Sequence, residues 1–160
     1  MRQRGFTLIE VMVVLVIIGI SVTAVTFSIE GLQARETERE LQRLRLVLER
    51  AGERAAVRGT PIAVEFLPGR YRFSQLDAEG RWRPFNEGES LSERELPEGV
   101  RWADLTIEGR KPEPNSPLVF GSEMPQFDLR LSAPGNLRRY VSHPDGSVTM
   151  ETIAVQGASS

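Results

Sequence analysis

Gly5-Phe6-Thr7-Leu8-Ile9-Glu10, followed by Val-Met-Val-Val-Leu-Val-Ile-Ile-Gly-Ile from Val11 to Ile20, is the stretch on which the organisation of this chain turns. One carboxylate stands at the start of a long apolar run. From Val11 to Ile29 there is no charge, and the only polar side chains are those of Ser21, Thr23, Thr26 and Ser28. That is about the roughly 20 residues a helix needs to cross a bilayer. A carboxylate in that setting costs about 2.5–3.5 kcal/mol on insertion scales, so Glu10 requires a specific partner. A cleaved signal peptide carries its small-residue cleavage site after the apolar core. Here Gly5 precedes the run, so the run stays in the mature chain. A plain signal anchor fits the hydropathy but gives Glu10 no reason to exist. Arg2 and Arg4 stand before the run without an acidic neighbour, which keeps that end cytoplasmic and carries the rest across the membrane.

The block Arg4-Gly5-Phe6-Thr7-Leu8-Ile9-Glu10 closely resembles the processing site of type IV pilins and of type II secretion pseudopilins. The resemblance implies a leader of residues 1–5, cleaved between Gly5 and Phe6 by a prepilin peptidase that also N-methylates Phe6. It gives Glu10 a role in subunit assembly, neutralising the N-terminal amine of Phe6 on a neighbouring subunit. The physics agrees, because pairing two charges in hydrocarbon removes part of the burial cost of each. Residues 6–29 then form the transmembrane and filament-core helix, 30–58 its amphipathic continuation, and 59–160 a periplasmic head. The implied fold is pilin-like α+β: a long N-terminal helix, membrane-spanning in its first half, packed on an antiparallel two-sheet β head. The implied partners are other pseudopilins (the major subunit and the tip minor subunits), the peptidase–methyltransferase and the inner-membrane assembly platform.

Working outward, the 160 residues carry a formal net charge of −2 and no cysteine. Removing residues 1–5 takes away Arg2 and Arg4 and leaves −4. No disulfide can staple the head and no thiolate can serve a metal or a reaction. All ten prolines fall at Pro61 or later, so the first 60 residues can form one uninterrupted helix, interior proline costing about 3 kcal/mol. A helix from Phe6 to Arg58 is about 80 Å long at 1.5 Å per residue. Leu41, Leu44, Leu48, Ala51 and Ala55 recur at three- and four-residue steps and form an apolar stripe for packing on the head. Ala56 adds to the small residues that let a sheet approach. Arg39, Arg43, Arg50 and Arg54 lie largely off the stripe, and Arg45 can pair with Glu49 along the solvated side. Gly19 and Gly31 are weak points, each worth up to about 1 kcal/mol against alanine.

Gly59 suits a helix end and Pro61 forbids continuation. Beyond it, Ile62 to Leu67, Arg70 to Ser74, Arg81 to Phe85, Leu118 to Phe120, Phe127 to Leu131, Leu137 to Ser142 and Ser147 to Thr152 read as strands between turn signals. Val100 to Trp102 and Leu105 to Ile107 add shorter pieces. Period-two spacing places the aromatics, Trp82 among them, in the core. Asn86 to Glu95 reads as an exposed acidic loop and Gln156 to Ser160 as a disordered tail. About eight strands of this kind make two packed antiparallel sheets, one of them covered by the helix stripe.

No constellation for catalysis emerges. His143 is the single histidine, no serine sits in a nucleophile elbow, and Glu123, Asp128, Asp145 and Glu151 lack calcium-loop spacing. The expectation is no enzyme activity, no cofactor and no metal. From Gly59 onward the chain has 11 basic and 15 acidic residues, which argues against nucleic acid as a partner; Arg138 and Arg139 are the best candidates for a basic strip. The apolar helix lacks the proline, near Phe27, that many major subunits carry. The closing segments, Leu118-Val119-Phe120 through Phe127-Asp128-Leu129 to Pro144-Asp145-Gly146-Ser147-Val148, look like those of the H-type minor pseudopilins of type II secretion. Members of that group are implied to join the tip complex to the pseudopilus shaft and to support export of folded proteins through the outer-membrane secretin. A minor type IV pilin acting in pilus assembly or DNA uptake, and a signal-anchored periplasmic enzyme, are the alternatives.

Overall fold

With no proline before Pro61, one helix runs unbroken: α1 spans Leu8–Arg58. The computed structural model describes residues 8–86 and 88–154, with the backbone alone for 19–32. Gly5, Phe6 and the tail from Gln156 to Ser160 lie outside the described residues. The chain divides into two units between Glu38 and Arg39. In the first, every side chain from Leu8 to Ile18 is exposed, Leu8 by 80%. Among the described residues no helix is long and apolar enough to cross a membrane. The side chains of the apolar run are described only as far as Ile18, so most of the expected 6–29 span falls outside that description.

The second unit starts with the rest of α1. Gly59, at φ 61°, turns the chain out of the helix in a conformation that a side chain disfavours. Nine strands follow among the described residues: β1 (Ile62–Leu67), β2 (Arg70–Leu76), β3 (Trp82–Pro84), β4 (Arg94–Glu95), β5 (Arg101–Ile107), β6 (Leu118–Phe120), β7 (Phe127–Ala133), β8 (Asn136–Ser142) and β9 (Val148–Ala154). They form two antiparallel sheets. The first has the order β3-β2-β1-β6, with β4 also pairing β2; the second has the order β5-β7-β8-β9. This is the α+β, two-sheet architecture expected from the sequence.

Two aromatic joints tie the sheets together. Trp102 of β5 lies 4.7 Å from the Phe66 ring of β1 and donates its indole N–H to the Leu67 carbonyl at 2.6 Å. Phe120 of β6 meets Phe127 of β7 edge-on at 6.3 Å. Edge-to-face contact suits the ring quadrupoles, and the indole hydrogen bond satisfies a polar group that burial would otherwise penalise.

Several expectations need correction. The helix stripe meets both sheets rather than one: Tyr140 of the second sheet and Phe120 of the first both lie at α1. Val47 and Gly52 join its buried face, whereas Ala56 is exposed. The acidic stretch 86–95 is not a free loop. Leu91 is buried at 1%, Arg94 and Glu95 form β4, and the Leu96 amide donates to the Gly69 carbonyl at 2.8 Å. One leucine among carboxylates produces no periodic signal, yet it closes the core. Trp82 is 44% exposed, because β3 is a three-residue edge and Phe85, just past it, goes inward instead. Trp102 and Leu105 sit on one strand with a bulge between Trp102 and Asp104, which breaks the alternation there.

The outer face of the second sheet is a ladder of charge. Asp104, Arg130, Arg139 and Glu151 stand in register on successive strands. Two like charges directly opposite one another, Arg130 and Arg139, would repel. Asp128 lies between them, 2.8 Å from Arg139 and 3.3 Å from Arg130, and its hydrogen bond from Arg139 holds its carboxyl below the usual range. At the β2–β3 turn Asp77 accepts from Arg83 at 2.7 Å and from the Arg81 amide, and is held down at about 2.

Leu48, fully buried, should be costly to shorten: Leu48→Ala is expected to destabilise the second unit by about 2–5 kcal/mol, while Val57→Ala at an exposed site should change it by under about 0.5 kcal/mol. Urea unfolding of the detergent-solubilised chain, followed by tryptophan fluorescence, measures both. A carboxyl depressed on folding contributes stability that is complete above its unfolded pKa of about 3.9 and is lost as pH falls towards its folded value. Stability should therefore decline as pH falls below about 4, and the Asp77 contribution should be gone near pH 2. Asp77→Asn should flatten that decline in an acid titration of the melting temperature.

Candidate functional site

The candidate sites are the first turns of α1 and the joint between α1 and the sheets. Glu10 lies in the first turn of α1 and is exposed, with exposed apolar side chains following it to Ile18. The cleavage and methylation residues, Gly5 and Phe6, lie outside the described residues.

At the joint, Leu41, Leu44, Leu48, Ala51 and Ala55 are each 0–1% exposed. The three- and four-residue steps place them on one helical face. The tyrosine hydroxyl of Tyr140, on a fully buried side chain, donates to the Leu41 carbonyl at 3.0 Å. At Gly52 a Cβ would come within 2.6 Å of the Met124 sulfur, so the thioether would have to shift, with Phe120 next to it at 3.6 Å. On one flank, the Arg54 guanidinium stacks over the Phe85 ring at 4.7 Å, and Glu40 lies 3.9 Å from Arg94. Tyr71 is beneath that flank, and burial, helped by Glu40, pushes its phenol up to about 12, so it stays neutral.

Arg45 and Glu49 do pair, at 2.6 Å, but not simply along a solvated side. Glu49 also accepts the Val148 amide at 2.9 Å, and Arg45 donates to the Val148 carbonyl at 3.3 Å. Val148 opens β9, and both its outward backbone groups are met by one helical ion pair. The i, i+4 spacing marks the pair in the sequence, but nothing local marks its third member. Tyr140 was likewise read only as part of a strand; its hydroxyl partner is 99 residues away.

The side chains considered for other chemistry are dispersed. Asp128 and Glu151 are engaged with Arg139, and Asp145 caps the Ser147 turn at 2.9 Å. Glu123 lines a groove of about 990 Å³ together with Glu49, Glu53 and Glu108. Among the described residues, no three His, Cys, Asp or Glu side chains group as metal ligands. His143 is half-buried, its Nε2 3.0 Å from the Thr149 hydroxyl. Arg138 and Arg139 point to opposite faces of β8, as neighbours on a strand must, and Arg139 is offset by two carboxylates, so together they make no basic strip.

Comparison with known proteins bears on the whole chain. A family described as "Prokaryotic N-terminal methylation motif" matches residues 1–26, and one described as "Type II transport protein GspH" matches residues 40–158. The chain is 30% identical over 158 residues to type II secretion system protein H of Aeromonas hydrophila, covering 88% of this chain and 86% of that one. It is 25% identical over 155 residues to type II secretion system protein H of Pectobacterium carotovorum, covering 82% of each. The fold is similar to that of the minor pseudopilin EpsH from the type 2 secretion system of Vibrio cholerae, with a TM-score of 0.56, 20% identity, and coverage of 78% of this chain and 99% of that one. A methylation motif at one end and a GspH match over the helix stripe and both sheets lead to one conclusion: the chain belongs to the GspH family of type II transport proteins.

Proposed function

We propose that this minor pseudopilin is made as a precursor, cleaved after Gly5, N-methylated at Phe6 and held in the inner membrane by residues 6–29 with its head in the periplasm. It then enters the pseudopilus between the tip complex and the shaft, where it supports export of folded proteins through the secretin. Its partners within the pseudopilus are other pseudopilins; before assembly it meets the prepilin peptidase and the assembly platform. It works as a structural subunit, by surfaces rather than by catalysis.

The observation that carries this reading is the joining, in one chain, of a methylation motif over residues 1–26 to a GspH head over residues 40–158. The chemistry around Glu10 supports it. A carboxylate at the start of an uncharged run is costly in lipid unless it meets a cation, and a neighbour's N-terminal amine supplies one. Both basic residues of the leader, Arg2 and Arg4, are lost on cleavage, which leaves the new amine as the positive group closest to Glu10 in sequence.

Glu10→Ala should leave membrane insertion unchanged and reduce incorporation into sheared pseudopili by at least about tenfold, the scale of a lost buried ion pair. Immunoblots of membrane and filament fractions report the two quantities. Normal incorporation of the variant would remove Glu10 from its role. Mass analysis of the mature chain should find an N-methylated phenylalanine at position 6 as its first residue.

A further inference from the structure

The sheets end in edges, and those edges are protected unequally. β3 and β6 are three residues long, β3 ending in Pro84; β4 has two residues; β5 carries the bulge after Trp102. These are the usual devices that keep an edge from pairing with another chain. β9 has none of them. It is seven residues long and pairs with β8 in unbroken register from Val148 to Ala154. Among the described residues no strand pairs with its other side. From Thr149 to Ala154 it contains no proline, glycine, lysine or arginine, and its one charge, Glu151, is 3.5 Å from Arg139.

The hydrogen-bond phase of this edge can be read directly. The His143 amide donates to the Ser147 carbonyl at 2.9 Å, so the alternate positions from Val148 turn their backbone groups away from β8. The helix contacts agree, since Glu49 and Arg45 take the amide and carbonyl of Val148. The outward groups of Met150, Thr152 and Ala154 follow at the same phase, and the stretch from Glu151 to Ala154 is exposed. The ion pair on α1 thus acts as a false strand for the first outward position and leaves the next three open.

We propose that β9 is a docking edge on which a neighbouring pseudopilin adds an extended segment as a further strand, hydrogen-bonded to Met150, Thr152 and Ala154. The inference rests on the pseudopilus role above and specifies a surface for it. A strand of this length buries far less than the about 1,200 Å² of a stable standing interface, so the contact belongs to a subunit already held in the filament. A second copy of this chain fits poorly, because its own β9 brings no basic residue to face Glu151. The fitting segment carries a basic residue opposite Glu151 and β-branched or aromatic residues opposite Thr149 and Ile153.

The test uses Thr152→Pro. Its amide points away from β8, so proline removes a docking donor and spares the backbone bonds of the β8–β9 ladder, losing there only the exposed bond from Arg138 to the Thr152 hydroxyl. The full chain and its variant are each combined in detergent with the purified major and minor pseudopilins of the same system. Thr152→Pro should keep the melting temperature of the wild type and be recovered in the pseudopilin complex at least about tenfold less. Normal recovery of a folded Thr152→Pro chain overturns the proposal. If that variant fails to fold, hydrogen exchange on the wild type decides: the Met150 and Thr152 amides should exchange at least about tenfold more slowly in the complex, and unchanged exchange overturns the proposal. A wild type that enters the complex with an unprotected β9 refutes this edge alone, whereas a wild type that never enters it refutes the pseudopilus role.

Discussion

Leu41, Leu44 and Leu48 lie in one buried core with residues of both sheets, which meet at Trp102 and at the Phe120–Phe127 pair. The helix stripe shares that one buried core with residues of both sheets. The hydrophobic term is non-directional and would accept many helix positions. What selects one of them is polar: the Tyr140 hydroxyl on the Leu41 carbonyl, and the Arg45–Glu49 pair on Val148. Each is a buried or half-buried group that loses its partner if the helix turns or slides, at a cost of order 1–3 kcal/mol.

That division explains what could be read in the sequence. The stripe at 41, 44, 48, 51 and 55 was visible because its period is that of a helix, β1, β2 and β7 because theirs is two, and β8 and β9 because turn residues separate them. The polar selectors were legible only in part: Arg45 and Glu49 show as a helical pair, but nothing marks Val148 as its partner. Tyr140 and Leu41 are far apart in the chain, and nothing local marks a hydroxyl that will meet a carbonyl. Leu91 was misplaced for a related reason. A core can be closed by one residue from an otherwise polar strap, and one residue has no period. Trp82 shows the converse error, a large aromatic on an edge too short to be covered.

The processing block was legible for a different reason, since its meaning lies in the order of small residue, phenylalanine, carboxylate and apolar run rather than in packing. The H-type assignment rested on loosely matching head segments, and it took the match over residues 40–158 to establish it. The charge ladder on the second sheet also escaped local inspection. Arg138-Arg139 is a basic dipeptide on paper, yet the pleat separates its members, and Asp128 and Glu151 absorb one of them.

The Tyr140 hydrogen bond has a mechanical corollary. Helical carbonyls succeed one another every 1.5 Å along the axis and 100° around it, so a hydroxyl that reaches one of them cannot reach the next. The stretch of α1 from Arg39 to Arg58 is therefore keyed to the sheets in both depth and angle, and travels with them as one piece. A slip of that stretch by a single residue would carry the Leu41 carbonyl away from the Tyr140 hydroxyl.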